Sequence, residues 1–318
     1  MTTDLTIHQP APLATPLDKA RAYAEQATAE NTRAAYRSDW AHFTQWCDAH
    51  GASAMPADVG TVAAYLAECA DRFKLATIER RLVSIGKAHS ASGQPNPAKT
   101  EAIHLTMKGI RRALGRAQTQ KAPATLEPLR AMLDTLGTGP AGLRDRALLL
   151  LGFAGAFRRS ELVALDIADL AFVPSGVVVT LRRSKTDQEG QGTTKGIPMG
   201  LFVATCPVRA LRAWLEHAQL VSGALFRPID RHGNIGAARL TGSAVARIVK
   251  RTAAAAGLDA SLFSGHSLRA GLATAAAAAG ASDRTIMKQT GHKSRAMVDR
   301  YIRSAELFKD NAGSIVGL

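Results

Sequence analysis

Residues 264–302 read SGHSLRAGLATAAAAAGASDRTIMKQTGHKSRAMVDRYI, an alternation of helices and tight turns that decides the fold class. His266 and Arg269 stand three apart near a helix start, so their side chains leave from one face. Gly291 is a natural helix stop, and His292 follows it directly. Tyr301 lies one short helix later, with Ser294 as the expected cap. Its helical spacing from Met297 and Val298 would, taken alone, mark Tyr301 as a core aromatic.

Upstream, TGSAVARIVKRTAAAAG (241–257) reads as a helix capped by Thr241 or Ser243. CPVRALRAWLEHA (206–218) reads as another, with Pro207 suited to its first turn. The convincing strand signal is VVVTLRR (177–183), followed by a polar, glycine-containing turn over 187–192 and a short return over 196–199. Helices are expected over 126–136 and 143–156, and the stretch RAQTQKAPAT (116–125), without an apolar face, reads as a linker.

Before it, Tyr36, Trp40, Phe43 and Cys47 recur at helical spacing, with Asn31 or Thr32 as cap and Gly51 as stop. Helices follow over 59–70 and 75–88; in the latter Ile78, Leu82 and Ile85 form the inward stripe, leaving Arg80, Arg81 and Lys87 toward solvent. A further helix ends in Lys108, Arg111, Arg112 and Arg116. The expected fold is mainly α with a small antiparallel β-sheet: a flexible lead-in over 1–16, a helical domain over 17–115, the linker, and a mixed α/β domain over 126–318 that includes a C-terminal tail.

The 318 residues carry 40 Lys+Arg against 26 Asp+Glu, a net charge of +14. Residues 1–122 hold fifteen of these cations and eleven of the acids, so both halves are basic, as two arms of a clamp around nucleic acid would be. The most apolar stretches, such as 147–157, fall short of the roughly 20 residues of a membrane span. The N-terminus has no secretion signal, and Cys47, Cys69 and Cys206 lack metal or redox spacing, so a cytoplasmic protein without membrane or metal is expected.

Breaking a phosphodiester requires a nucleophile, cations aimed at the non-bridging oxygens and a proton donor for the leaving oxygen. GAFRRSELVAL places Arg158 ahead of Ser160 and Glu161, and LRRSKTD places Lys185 in the hairpin. With His266, Arg269, His292 and Tyr301 they make a set rich in Arg, His, Lys and Tyr, suited to neutralising a phosphate without a metal.

These motifs, in this order, resemble the tyrosine recombinases of the phage-integrase family, well over residues 148–301 and more weakly over the N-terminal domain. The interval from SGHSLRAG to the GH at 291–292 and on to Tyr301 is similar to the Cre-like branch. The resemblance implies Tyr301 as nucleophile, Arg158 and Arg269 as the phosphate clamp, and Lys185 as proton donor to the departing 5′ oxygen. It further implies His266 assisting Tyr301, His292 bonding the phosphate and Glu161 orienting the basic groups. No cofactor is implied; the partners would be double-stranded DNA with paired half-sites, three further copies of this chain on DNA, and accessory bending or directionality proteins, with a monomer off DNA. Arg80, Arg81, Lys87, Lys108, Arg111 and Arg112 would contact DNA, with backbone contacts outnumbering base contacts, or would simply form a soluble face. One departure stands out: the small-residue approach to the first arginine is here Gly155-Ala156-Phe157. A regulator without catalysis, a metal-dependent nuclease and a relaxing topoisomerase are the competing readings.

Overall fold

The computed structural model describes residues 28–115, 121–182 and 192–305, together with residues 16, 18, 19 and 23. The chain divides into two compact units, Met1–Gln118 and Thr119–Leu318.

The described part of the first unit is helical: α1 (Glu30–Ala49), α2 (Val59–Arg72), α3 (Leu75–Ala91) and α4 (Glu101–Leu114). Helix α1 starts at Glu30, so its N-cap is Ala29, two residues before Asn31 and three before Thr32, and no side chain caps it. Asp58 caps α2 by accepting from the Thr61 N–H at 2.9 Å. The inward stripes of the four helices meet in a core of Phe43, Val62, Tyr65, Leu66, Ile78, Ile85, Ile103 and Met107.

The stripe on α3 differs from expectation at one position. Arg81 is buried, not solvent-facing: it is 7% exposed, with its guanidinium 3.8 Å from the Phe73 ring centroid and Nη1 3.3 Å from Cys69 Sγ. The buried carboxylate of Asp39 explains this, since it receives Arg80 through Nε (2.7 Å) and Nη2 (3.0 Å) and lies beside Arg81 as well. A buried acid needs cationic partners, and α3 supplies two adjacent ones.

The second unit comprises α5 (Leu126–Asp134), α6 (Pro140–Ala154), α7 (Arg159–Ala164), β1 (Leu170–Val173), β2 (Gly176–Leu181), β3 (Thr193–Pro198), α8 (Pro207–His217), α9 (Gly242–Ala255), α10 (Ser267–Ala278), α11 (Asp283–Thr290) and α12 (Arg295–Ala305). The three strands form an antiparallel sheet in the order β1-β2-β3; β2 and β3 are the expected hairpin arms, and β1 is an additional strand. The core is built on α6, whose run Ala147–Leu151 is buried throughout, against Trp214, Leu211, Phe226, Val179 and Leu268. A smaller cluster of Ala273, Ala277, Ile286 and Val298 joins α10, α11 and α12.

The second half of the stretch read as linker belongs to this unit. Ala124 is fully buried, and its N–H donates to Ser267 O at 2.9 Å. The chain passes so close to α10 that a Cβ on Gly271 would lie 2.0 Å from Ala124 O. Backbone cannot yield as a side-chain tip does. Gly271→Ala should therefore cost about 3 kcal/mol, the upper end of ordinary overpacking, read as a lowered urea midpoint. An unchanged midpoint would contradict the close approach.

Among the described residues no helix is long and apolar enough to cross a membrane. The expected lead-in and the tail from 306 onward lie outside the described residues, apart from residue 16.

Candidate active site

Arg158 sits at the N-cap of α7, immediately after the loop that ends α6. Glu161, 3% exposed, reaches back and accepts from both the Arg158 backbone N–H (2.9 Å) and its guanidinium Nη1. One buried carboxylate thereby fixes the helix start and the direction of the arginine.

Arg269, on the first turn of α10, is 1% exposed. Its Nη1 donates to Ala156 O at 2.8 Å, while Nε and Nη2 are buried without an acceptor among the described residues. Burial and the Arg158 charge push its pKa down to about 10, opposed by Glu161 and Tyr301. An orphaned buried donor costs roughly 1–3 kcal/mol, more when charged, and an anion accepting from these two nitrogens would remove that cost.

His266 occupies the N-cap position of α10, and its Nε2 lies 3.4 Å from the Tyr301 hydroxyl. Desolvation lowers its pKa, as do the cations of Arg269, Arg158 and Arg300, which favours the neutral ring. Tyr301 itself rests its ring on the cluster around Val298 while its hydroxyl meets the histidine, so the helical spacing serves packing and chemistry together.

His292 follows Gly291, whose φ of 68° is the left-handed cap that ends α11. Its ring stacks on Tyr301 at 5.9 Å between centroids and is 7% exposed. The Thr290 hydroxyl donates to Ile286 O (2.7 Å), so it meets His292 Nδ1 (2.8 Å) as an acceptor. That assigns the proton of the neutral ring to Nδ1 and leaves Nε2 as the lone pair. Burial first, then Arg269, Arg158, His266 and Arg300, bring the His292 pKa down to about 4.

The unfolded chain, with an imidazole pKa of roughly 6.5, binds more protons between those two values than the folded protein does. Stability from the neutral ring is complete above about pH 6.5 and lost as pH falls through 4. Urea midpoints taken between those limits should drop further for the wild type than for His292→Gln. Parallel curves would mean that the ring is not held neutral.

Lys185 lies outside the described residues. Arg182, just before it, ties the end of β2 to Asp169 at 2.7 Å. The lysine that the structure does bring to the site is Lys195 on β3, which no motif singles out. It is 6% exposed, its Nζ donates to Gly155 O and Gln289 O at 2.7 Å each, and it lies 4.9 Å over the Phe157 ring. Burial lowers its pKa to about 8, with Arg269 and Arg158 adding to the effect and Glu161 opposing it. Strand alternation carries the signal for it: Lys195 shares its parity with buried Ile197, between exposed neighbours. Phe157 is accommodated because Gly155 has no side chain; a Cβ there would lie 2.1 Å from the ring.

In the first unit, His104, Lys108, Arg111 and Arg112 line one shallow cavity on α4 at positions i, i+4, i+7 and i+8. Lys108 and Arg112 are exposed, whereas Arg111 is paired with Glu79 at 2.9 Å. Lys87 is exposed and rests over the Tyr36 ring at 4.7 Å. Among the described residues no group of three or more His, Cys, Asp or Glu could hold a metal ion.

A helical unit, a mostly helical second unit with a three-stranded sheet, and a tyrosine set beside histidines and buried arginines together define a tyrosine-type strand-transfer enzyme. The chain belongs to the phage integrase family, whose model matches residues 125–307. It is 45% identical over 298 residues to an integrase/recombinase XerD homolog of Selenomonas ruminantium, covering 92% of this chain and 87% of that protein. Identity to the recombinase Cre of Escherichia phage P1 is 24%, over 88% and 86% of the two chains, so the Cre-like motif spacing accompanies a weaker overall likeness. In fold, it resembles a lambda integrase tetramer bound to a Holliday junction, with a TM-score of 0.61 at 17% identity, over 96% of this chain and 84% of that one. The protein is a DNA-binding, tyrosine-type site-specific recombinase.

Proposed function

We propose that Tyr301 attacks a DNA phosphorus, forming a 3′-phosphotyrosyl bond and releasing a 5′ hydroxyl, and that the 5′ end of a partner strand reverses the step to complete strand exchange. The orphaned Nε and Nη2 of Arg269 carry this reading, because they present two fixed donors for a phosphate near the Tyr301–His266 pair. Arg158 supplies the second guanidinium, held in direction by Glu161. His266 accepts the phenolic proton, for which its neutral ring is suited. Lys185 protonates the departing 5′ oxygen, and His292 bonds the phosphate through Nε2 once that nitrogen is protonated. The phosphate ester is exchanged rather than hydrolysed, so rejoining needs no ATP, and the cations do the work that other nucleases assign to metal ions.

The substrate is double-stranded DNA with paired half-sites, on which four copies assemble from monomers; accessory bending or directionality proteins complete the reaction where a site requires them. Lys87, Lys108, Arg111 and Arg112 contact the DNA backbone, and His104 shares one cavity with the last three. Arg81, buried beside Asp39, serves the fold of the first unit instead, whereas Arg80 keeps about half of its side chain in solvent and joins these contacts. A suicide DNA substrate, nicked just 3′ of the scissile phosphate so that the short fragment carrying the freed 5′ hydroxyl diffuses away, should trap wild-type protein covalently in the presence of EDTA. Tyr301→Phe should bind the same DNA and form no adduct. An adduct in the phenylalanine variant, or none in the wild type, would refute this.

A further inference from the structure

The last backbone carbonyls of a helix have no partner within it and carry the negative end of its dipole. At the end of α6 they are taken by side chains from three other elements. Ala154 O accepts from Gln289 Nε2 at 2.7 Å, Gly155 O from Lys195 Nζ at 2.7 Å, and Ala156 O from Arg269 Nη1 at 2.8 Å. Each donor segment leads to a part of the candidate site. Gln289 is three residues before His292 and Arg269 is itself a clamp residue. The captured carbonyls lie two to four residues before Arg158.

Lys195 is the joint among them. The same ammonium group that holds Gly155 O also holds Gln289 O at 2.7 Å, tying the approach to Arg158 directly to the end of α11. A buried ammonium beside two arginines is costly, offset by Glu161 and by the two carbonyls it satisfies; an apolar side chain of that length on β3 would pack against Phe157 but leave both carbonyls without the donor that joins them. Perturbed, buried charges of this kind gather where chemistry needs them.

We propose that Lys195 is a positioning residue for strand cleavage, which, through the Gly155 and Gln289 carbonyls, holds Arg158 and His292 in register around the phosphate. The proposal rests on the recombinase reading above. Lys195 touches no reacting atom in this scheme; it sets where those atoms are met.

The test uses the full-length protein and three variants, Lys195→Met, Lys195→Arg and Gln289→Met, with adduct formation on a suicide substrate measured in single turnover beside DNA affinity and melting temperature. Displacing a catalytic group by an ångström costs on the order of 100-fold, so Lys195→Met should cleave about 100-fold more slowly with DNA affinity kept within about threefold. Lys195→Arg, which can still donate to both carbonyls, should recover most of the rate. Gln289→Met removes only the neighbouring side-chain bond to Ala154 O and leaves both lysine bonds in place, so it should slow cleavage less than Lys195→Met; an equal loss would overturn the assignment of the register to the lysine. A folded Lys195→Met that cleaves at the wild-type rate overturns the proposal, as does one whose affinity and cleavage fall in proportion. Should the methionine variant fail to fold, Lys195→Gln, whose shorter amide cannot span both carbonyls, takes its place: slowed cleavage at kept affinity supports the proposal, and the wild-type rate overturns it. Absence of any adduct in the wild type would instead strike at the recombinase reading itself.

Discussion

Arg269→Lys should slow covalent adduct formation by about 10²–10³-fold, the effect of losing one preorganised transition-state donor, while DNA affinity changes little. The substitution keeps the charge, so it isolates geometry. In the protein, Nη1 is already committed to Ala156 O, and Nε and Nη2 remain for a phosphate. A planar fork can do both at once; a single ammonium on a shorter reach cannot anchor the loop and bracket two oxygens. Distant phosphates along the site should still hold the variant on DNA, since most of the affinity for a duplex is spread over many backbone contacts. The measurement is single-turnover cleavage of a suicide substrate against binding by anisotropy. A lysine variant that cleaves within about tenfold of wild type would show that charge, not the guanidinium fork, is what the site uses.

How much of this was legible beforehand depends on how local each cause is. The turn before His292 was readable because a left-handed residue at a helix end calls for glycine, and Gly291 supplies it at φ 68°. The hairpin arms were readable from Val177–Leu181, where alternation and branched residues coincide. Strand β1 escaped notice because it has four residues, two of them exposed, and owes its extended form to pairing with β2. Such short strands exist by partnership more than by propensity.

The charged residues divide the same way. Arg158 and Glu161 are three apart, and their mutual hold is a local capping geometry. Arg81 is different: its burial is set by Asp39 on another helix, and no window of sequence contains both. Lys195 stands between these cases. The parity of β3 turns it inward, which is visible in the sequence, but its acceptors lie on α6 and α11, which is not. A cation at an inward strand position is therefore a question posed by sequence and answered only by the fold.

The same gathering of charge makes the loss of the Glu161 carboxylate costly to stability. It is the buried acid among Arg158, Arg269 and Lys195, and its charge favours the charged forms of Arg269 and Lys195. Removing one partner of a buried ion pair costs about 3–5 kcal/mol, and the lower end applies because Arg158 keeps some contact with water. Glu161→Gln preserves shape and one acceptor while deleting the charge, leaving three cations facing one another. Its unfolding free energy at low salt should fall by that amount, lowering the urea midpoint. A doubly charged oxyanion bound where the scissile phosphate would sit restores the missing charge, so sulfate should raise the variant's midpoint more than the wild type's, by mass action on the folded state. Chloride at matched ionic strength, which only screens, should recover much less. If sulfate and chloride act alike, the cations do not converge on one anion, and the phosphate clamp as drawn is wrong.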